Sequence, residues 1–254
     1  MKHRIPIRRI LIVLFWTAVW QTACLAVRND ILLAGPADVV RSFLALLPTG
    51  DFWRAAAWSF GKIILGFLAA FLTGILVGSL AFRFRLLDEL LAPVISLIKS
   101  IPVASFVILA LIWIGSKNLS VFISFLVVFP MIYVNTVSGL QSTDPKLVEM
   151  AHVFSVRLPQ RIRFIYLPAL MPYLTSGCKV ALGMSWKSGI AAEVIGVPSH
   201  TIGENLYFAK IYLATADLFA WTIVIILISV LFEKLFLLGL GYVERINTDI
   251  GKHI

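Results

Sequence analysis

Charge is scarce in this chain: Asp, Glu, Lys and Arg make up 14% of its 254 residues, against roughly 25% in an average soluble domain. With 60% of the residues hydrophobic, that scarcity excludes an ordinary water-soluble fold and marks a membrane protein. Acidic residues are the rarer sign, 13 against 22 basic. The surplus positive charge clusters between apolar runs instead of lining one amphipathic face, which argues against nucleic acid as a partner. Cysteine is limited to Cys24 and Cys178, both inside apolar segments, so neither a disulfide framework nor a thiolate metal site is expected. The four histidines, His3, His152, His200 and His253, have no metal-ligand spacing. A phosphate cradle is missing too, because Gly61-Lys62 and Gly251-Lys252 lack the preceding glycine and the following Ser or Thr. No nucleophile elbow or paired-carboxylate constellation occurs. ATP hydrolysis by such a loop is thereby excluded, no metal or cofactor is expected, and a membrane-embedded enzyme is a disfavoured rival reading.

What is present is a succession of long apolar runs, predicting an all-α polytopic membrane protein with about six spans in one permease domain. Lys2, Arg4, Arg8 and Arg9 precede an apolar run at about 10–27. The layout imitates a signal peptide, but Gln21 spoils the cleavage box ahead of Cys24 and further spans follow, so a retained first helix is expected. Residues 28–53 read as an outer segment with a short amphipathic helix around Asp38 to Leu47. The second span, about 56–81, carries Gly66, Ala70, Gly74 and Gly78 four apart, a stripe that lets helix backbones approach closely. The third, about 90–114, contains Pro93 and Pro102 and should be kinked or broken. A tight outer turn at Gly115 to Asn118 leads to the fourth span, about 119–140. The fifth is about 166–194; ten of its residues from 175 to 192 are Gly, Ala, Ser or Thr, so it needs close neighbours or lines a passage. A second outer segment, with helix expected over Gly203 to Ala216, precedes the sixth span at about 218–240.

The basic residues orient these spans. Twelve Lys and Arg fall on one set of connections and five on the other, the rest lying within or near span ends. The richer side is the cytoplasmic one, so both termini are placed in the cytoplasm.

The connection at 141–165 is polar and basic but is not composed like a linker. Arg157, Arg161 and Arg163 alternate with apolar residues, and Pro145, Pro159 and Pro168 cut the stretch into two short helices with a bend between them. A solvated loop held inside by its arginines is the plainer reading of these residues. The spacing, however, resembles the EAA signature of binding-protein-dependent ABC importer permeases. Glu149 and Ala151 match the acidic and second alanine positions. Ile165, Leu167 and Pro168 match the closing triplet after an intact nine-residue spacer, 156–164. Met150 replaces the first alanine. Ser155 stands where glycine is usual, without glycine's freedom at positive φ. The resemblance implies an ATPase-coupling loop in which Glu149, Ala151, Ser155, Arg157, Pro159, Ile165, Leu167 and Pro168 take part, docking on a separate ABC ATPase subunit. It extends over nearly the whole chain and is closest to permeases for nitrate, sulfonates, taurine, bicarbonate or thiamine-precursor pyrimidines.

Ionisable groups within spans need a partner, a cavity or a route to the interface, since at the bilayer centre each costs on the order of 3 kcal/mol. Lys62, Lys99, Lys179 and Lys234 lie within a few turns of an expected span end, where snorkelling accounts for them. Lys187 and Glu193 lie deeper, six residues apart and so on different helix faces. Their setting, MSWKSGIAAEVIG, resembles the matching stretch of nitrate, sulfonate and taurine permeases. Trp186, Lys187 and Glu193 are candidates for the border of the translocation pathway; pairing of the two charged groups to neighbouring helices is the alternative. Tyr207, Phe208, Tyr212, Phe219 and Trp221 form an interfacial aromatic belt or a surface for a solute-binding protein.

The resemblance implies the transmembrane subunit of an importer in a bacterial plasma membrane, moving a small, anionic or pyrimidine-type solute by alternating access. Its implied partners are cytoplasmic ATPases, an extracytoplasmic solute-binding protein, a second permease copy and membrane lipid. The rival is a secondary transporter working without an ATPase, which would need intramembrane coupling carboxylates and an internal repeat; Glu193 is the one mid-span acid.

Overall fold

Where no water reaches, every backbone N–H and C=O must be satisfied within the chain, and an apolar sequence with isolated prolines meets that demand as helices. The computed structural model describes residues 7–251, with side chains from Ile7 to Tyr242 apart from Arg9. Lys2, Arg4 and Lys252, counted above among the inner charges, lie outside the described residues, as do His3 and His253. In chain order the helices are α1 (Ile7–Val27), α2 (Pro36–Leu46), α3 (Gly50–Arg83), α4 (Arg85–Ser100), α5 (Val103–Ile114), α6 (Leu119–Gln141), α7 (Pro145–Val153) and α8 (Leu158–Arg161). A π-helical turn, Ile162–Tyr166, leads into α9 (Leu167–Gly196), followed by α10 (Ile202–Ile211) and α11 (Thr215–Gly251). No strand occurs among the described residues.

Many large apolar side chains point outward, unlike those of a water-soluble domain, while small residues fill the interior beside large ones such as Phe67 and Trp186. Leu65, Leu72, Leu76, Ile112 and Trp113 are exposed, while Ala70, Ala181 and Ala192 are fully buried. Lipid explains the outward side chains, because greasy surface loses nothing there and the interior is left to close packing. The glycine stripe of α3 lies on α6. A Cβ on Gly66 would stand 2.4 Å from the Val121 carbonyl oxygen, and one on Gly74 2.9 Å from Ile132. On α6's other side, Gly177 and Gly189 of α9 close on Asn135 and Ser124. α3, α6 and α9 thus form a tightly seamed core. α11 joins through aromatic edges, with Phe67 and Phe236 perpendicular at 5.0 Å and Phe52 stacked on Trp221 at 5.2 Å. The Ser42 hydroxyl, on α2, donates to the Asp217 carboxylate at the start of α11.

Four described helices, α1, α3, α6 and α11, are each long and apolar enough to cross a membrane, and the α4–α5 pair makes a fifth candidate. α9 has the length, 30 residues, but its small and charged residues make it the least apolar of the long helices. The third span, 90–114, expected to be kinked or broken, is two helices meeting at 105°. Pro102 forces Ile101 into an extended conformation (φ −74°, ψ 131°) and stops α4, whereas Pro93 is absorbed within α4. The expected helix over 203–216 ends at Ile211, because Leu213 takes a left-handed φ of +56° and turns the chain before α11 begins.

Candidate coupling segment and candidate passage face

Asp144 opens the 145–166 segment by accepting a hydrogen bond from the Lys146 N–H at 2.9 Å, and Pro145 fills the first turn of α7, where no amide is missed. Ala151, on α7, is fully buried. That burial accounts for a small residue at this position. Ser155 then takes φ +50°, the left-handed geometry for which the signature's usual glycine is suited. The turn is closed by the Ser155 and Val156 amides, which donate to the His152 and Ala151 carbonyls at 3.0 and 2.9 Å. Arg161 braces the bend from α8. Its Nε donates to the Val156 carbonyl at 2.7 Å, and its Nη1 lies 3.2 Å from the His152 ring.

Arg157, Pro159 and Glu149 are exposed, and no ion pair involves Glu149 among the described residues. Ile165 and Leu167 are half-buried where the π-helical turn enters α9, and Pro168 occupies the first turn of that helix. Tyr166 meets Phe82 of α3 edge-on at 6.1 Å, so the segment sits at the same end of the molecule as Arg83 and Arg85. Large apolar side chains remain uncovered around the bend: Val153 is 79% exposed and Phe154 74%, with Met150 and Leu147 beside them on α7.

The three passage candidates occupy different sides of α9. Trp186 and Glu193, two turns apart, face the interior; Trp186 packs against Phe60, and Glu193 has no exposed surface. Glu193 Oε2 accepts from the Ser59 hydroxyl at 2.6 Å and the Gly203 amide at 3.3 Å. Ser59 in turn accepts from the Ile202 amide at 2.9 Å, so one carboxyl and one hydroxyl tie α3, α9 and the start of α10 together. A Cβ on Gly203 would lie 2.2 Å from that of Glu193, which shows how closely α10 approaches. Ser59 and Gly203 carry no signature of their own, since Ser59 is 134 residues away from Glu193.

Lys187 faces the other way and is exposed. Val180 and Ser176 share its side of α9, at helical spacings of seven and eleven residues. Ser176, Gly177 and Val180 line an open hollow of about 280 Å³ with Met131, Val134 and Asn135 of α6 and Lys99 of α4. A larger hollow of about 590 Å³ adjoins it between α4 and α6, sharing Lys99 and Val134. The Tyr133 hydroxyl donates to Asp88 at 2.7 Å on its wall. No cluster of metal-ligating side chains occurs among the described residues.

Residues 62–245 match the family described as "Binding-protein-dependent transport system inner membrane component". The chain is 27% identical over 219 residues to a protein of Bacillus subtilis named for aliphatic sulfonates transport, a permease, with 85% of this chain and 79% of that one covered. It is 27% identical over 235 residues to the taurine transport system permease protein of Escherichia coli, covering 90% and 84%. With the riboflavin transport system permease protein of Chloroflexus aurantiacus it shares 25% identity over 239 residues, covering 91% and 88%. The glycine seam, the coupling-type bend and most of the passage face fall inside the matched region, and this chain belongs to the binding-protein-dependent transport system inner membrane component family.

Proposed function

We propose that the chain builds the passage of an ABC importer and that separate ATPase subunits drive it through the segment from Pro145 to Tyr166. One observation carries this reading. The bend between α7 and α8 is held by backbone hydrogen bonds and Arg161, yet it presents Leu147, Met150, Val153 and Phe154 uncovered. At an arginine-rich end of a membrane protein such side chains meet neither lipid nor core, and a groove on another protein suits them. Closure of the ATPases on ATP displaces the bend, the π-helical turn takes up the strain, and α9 reorients the face that carries Lys187. Trp186 and Glu193, also expected at the border of the passage, lie on the opposite, interior side of α9 and hold that helix in register.

A solute-binding protein delivers substrate at the opposite end, beside α10, and a second copy of the chain closes the open face. The solute is a small anion, in keeping with Lys187 on that face and with the names of the sulfonate and taurine relatives. The test is reconstitution in liposomes with ABC ATPase and solute-binding protein subunits that co-purify with this chain, followed by uptake of taurine and other small sulfonates. Uptake that requires all three components and ATP is expected. Uptake that persists without the ATPase would replace this reading with a secondary transporter.

A further inference from the structure

Lys99 was expected within a few turns of an end of the third span, where its ammonium reaches the interface along the membrane. The break at Ile101-Pro102 puts it elsewhere. Lys99 stands in the last turn of α4, just before the chain bends by 105°, and lines both open hollows at once. Its neighbours in the smaller hollow include Pro130 and Met131, which are the midpoint of α6. A helix of 23 residues rises about 34 Å, so either end of α6 lies about 17 Å from that level. A lysine stem spans only about 6 Å, and snorkelling does not bridge the difference.

The ammonium also lacks a protein counter-charge, since no carboxylate lies within ion-pair distance among the described residues. Asp88 lies on the same face of α4 but eleven residues away, about 16 Å along the axis, and its carboxylate accepts the Tyr133 hydroxyl. An exposed, unpaired ammonium at mid-depth is disfavoured against lipid and is accommodated where its wall faces water. Lys187 lies farther out on the adjoining α9 face, seven residues beyond Val180 of the same hollow. The open face therefore carries two positive side chains at different depths.

We propose that Lys99 is the charge-selecting contact of the passage at mid-depth, and that it receives a small oxyanion such as a sulfonate between α4, Asn135 and Ser176. This rests on the reading of that face as a passage, given above. Being at a helix break, the contact moves when α4 and α5 change their angle, so a change of state alters the hold on the anion at the point where it must be released.

The test reads local potential rather than transport, so it is independent of any ATPase. In full-length protein carrying Cys24→Ser and Cys178→Ala, Ser176→Cys supplies a reporter thiol in the same hollow. Its reaction rate in lipid nanodiscs is measured with a methanethiosulfonate bearing a sulfonate and with one bearing a trimethylammonium. A neutral analogue serves as the control for folding. Lys99→Gln should lower the anion-to-cation rate ratio about tenfold, the effect of removing one charge about 6 Å away in water-like surroundings, and Lys99→Arg should keep it. A ratio unchanged by Lys99→Gln, an equal loss in Lys99→Arg, or a thiol inert to both charged reagents would overturn the proposal. If the importer reading alone is wrong, the ratio still falls while uptake proceeds without the ATPase.

Discussion

At Ser155 the residue present and the geometry required disagree. Its φ of +50° costs a non-glycine residue about 1 kcal/mol, and no side-chain hydrogen bond offsets the cost among the described residues. Ser155→Gly should therefore raise the thermal stability of the detergent-purified protein by about 1 kcal/mol while leaving ATPase association intact. A lower melting temperature would mean that the serine side chain itself supports the turn. Gly203 predicts the opposite sign. Its missing side chain leaves room for Glu193 at a separation no Cβ tolerates, 2.2 Å, with the Glu193 backbone carbon at 2.5 Å. Gly203→Ala should destabilise the protein by about 1–3 kcal/mol through overpacking and expose the 198–212 stretch to limited proteolysis. Unchanged proteolysis would show that α10 does not sit as closely as described.

Among the elements, those whose cause is local were legible in the sequence. Pro102 marked a kink or break in the third span, and the four-residue spacing of Gly66, Ala70, Gly74 and Gly78 marked a close helix seam. The two-piece build of the coupling segment followed from its prolines. The turn at Tyr212 to Ala214 was hidden because it uses Leu213 at positive φ, with no Gly, Asn or Pro to announce it. The bend angle of α4 on α5 was hidden as well, and with it the depth of Lys99, since a proline signals a break but not its direction. Partners of Glu193 could not be read at all, because Ser59 and Gly203 become neighbours only through packing. The coupling segment makes the clearest prediction at this scale. Phe154→Asp puts a charge on an exposed apolar bend without touching the buried Ala151. The variant should purify with unchanged stability and bind the ATPase at least tenfold more weakly in pull-down titrations, a loss of about 1.4 kcal/mol or more. Undiminished binding would place the docking surface elsewhere.

The whole molecule is a multi-pass inner-membrane ABC transporter permease, and on the proposed reading its coupling segment and its outer joint lie at opposite ends of one rod. α9 is continuous over 30 residues, about 45 Å. At one end is the π-helical turn that joins it to the coupling segment; near the other, Glu193 is tied through Ser59 to α3 and through Gly203 to α10. A rod transmits displacement only if its far end is attached to what must move. If α9 carries the stroke as proposed, the Ser59–Glu193 contact is the point at which motion at the ATPase side becomes motion at the far end. Removing it should separate two quantities that otherwise change together. Ser59→Ala leaves the Glu193 carboxyl and the Ile202 amide each short of a buried partner and loosens that joint, at a cost of about 1–3 kcal/mol. In reconstituted complexes the variant should retain ATP hydrolysis while uptake per ATP falls several-fold. Ser59→Thr, which keeps the hydroxyl, should recover much of the loss. A purely structural role would instead lower hydrolysis, uptake and yield in parallel, and an unchanged ratio of uptake to hydrolysis would show that α9 does not carry the stroke through this joint.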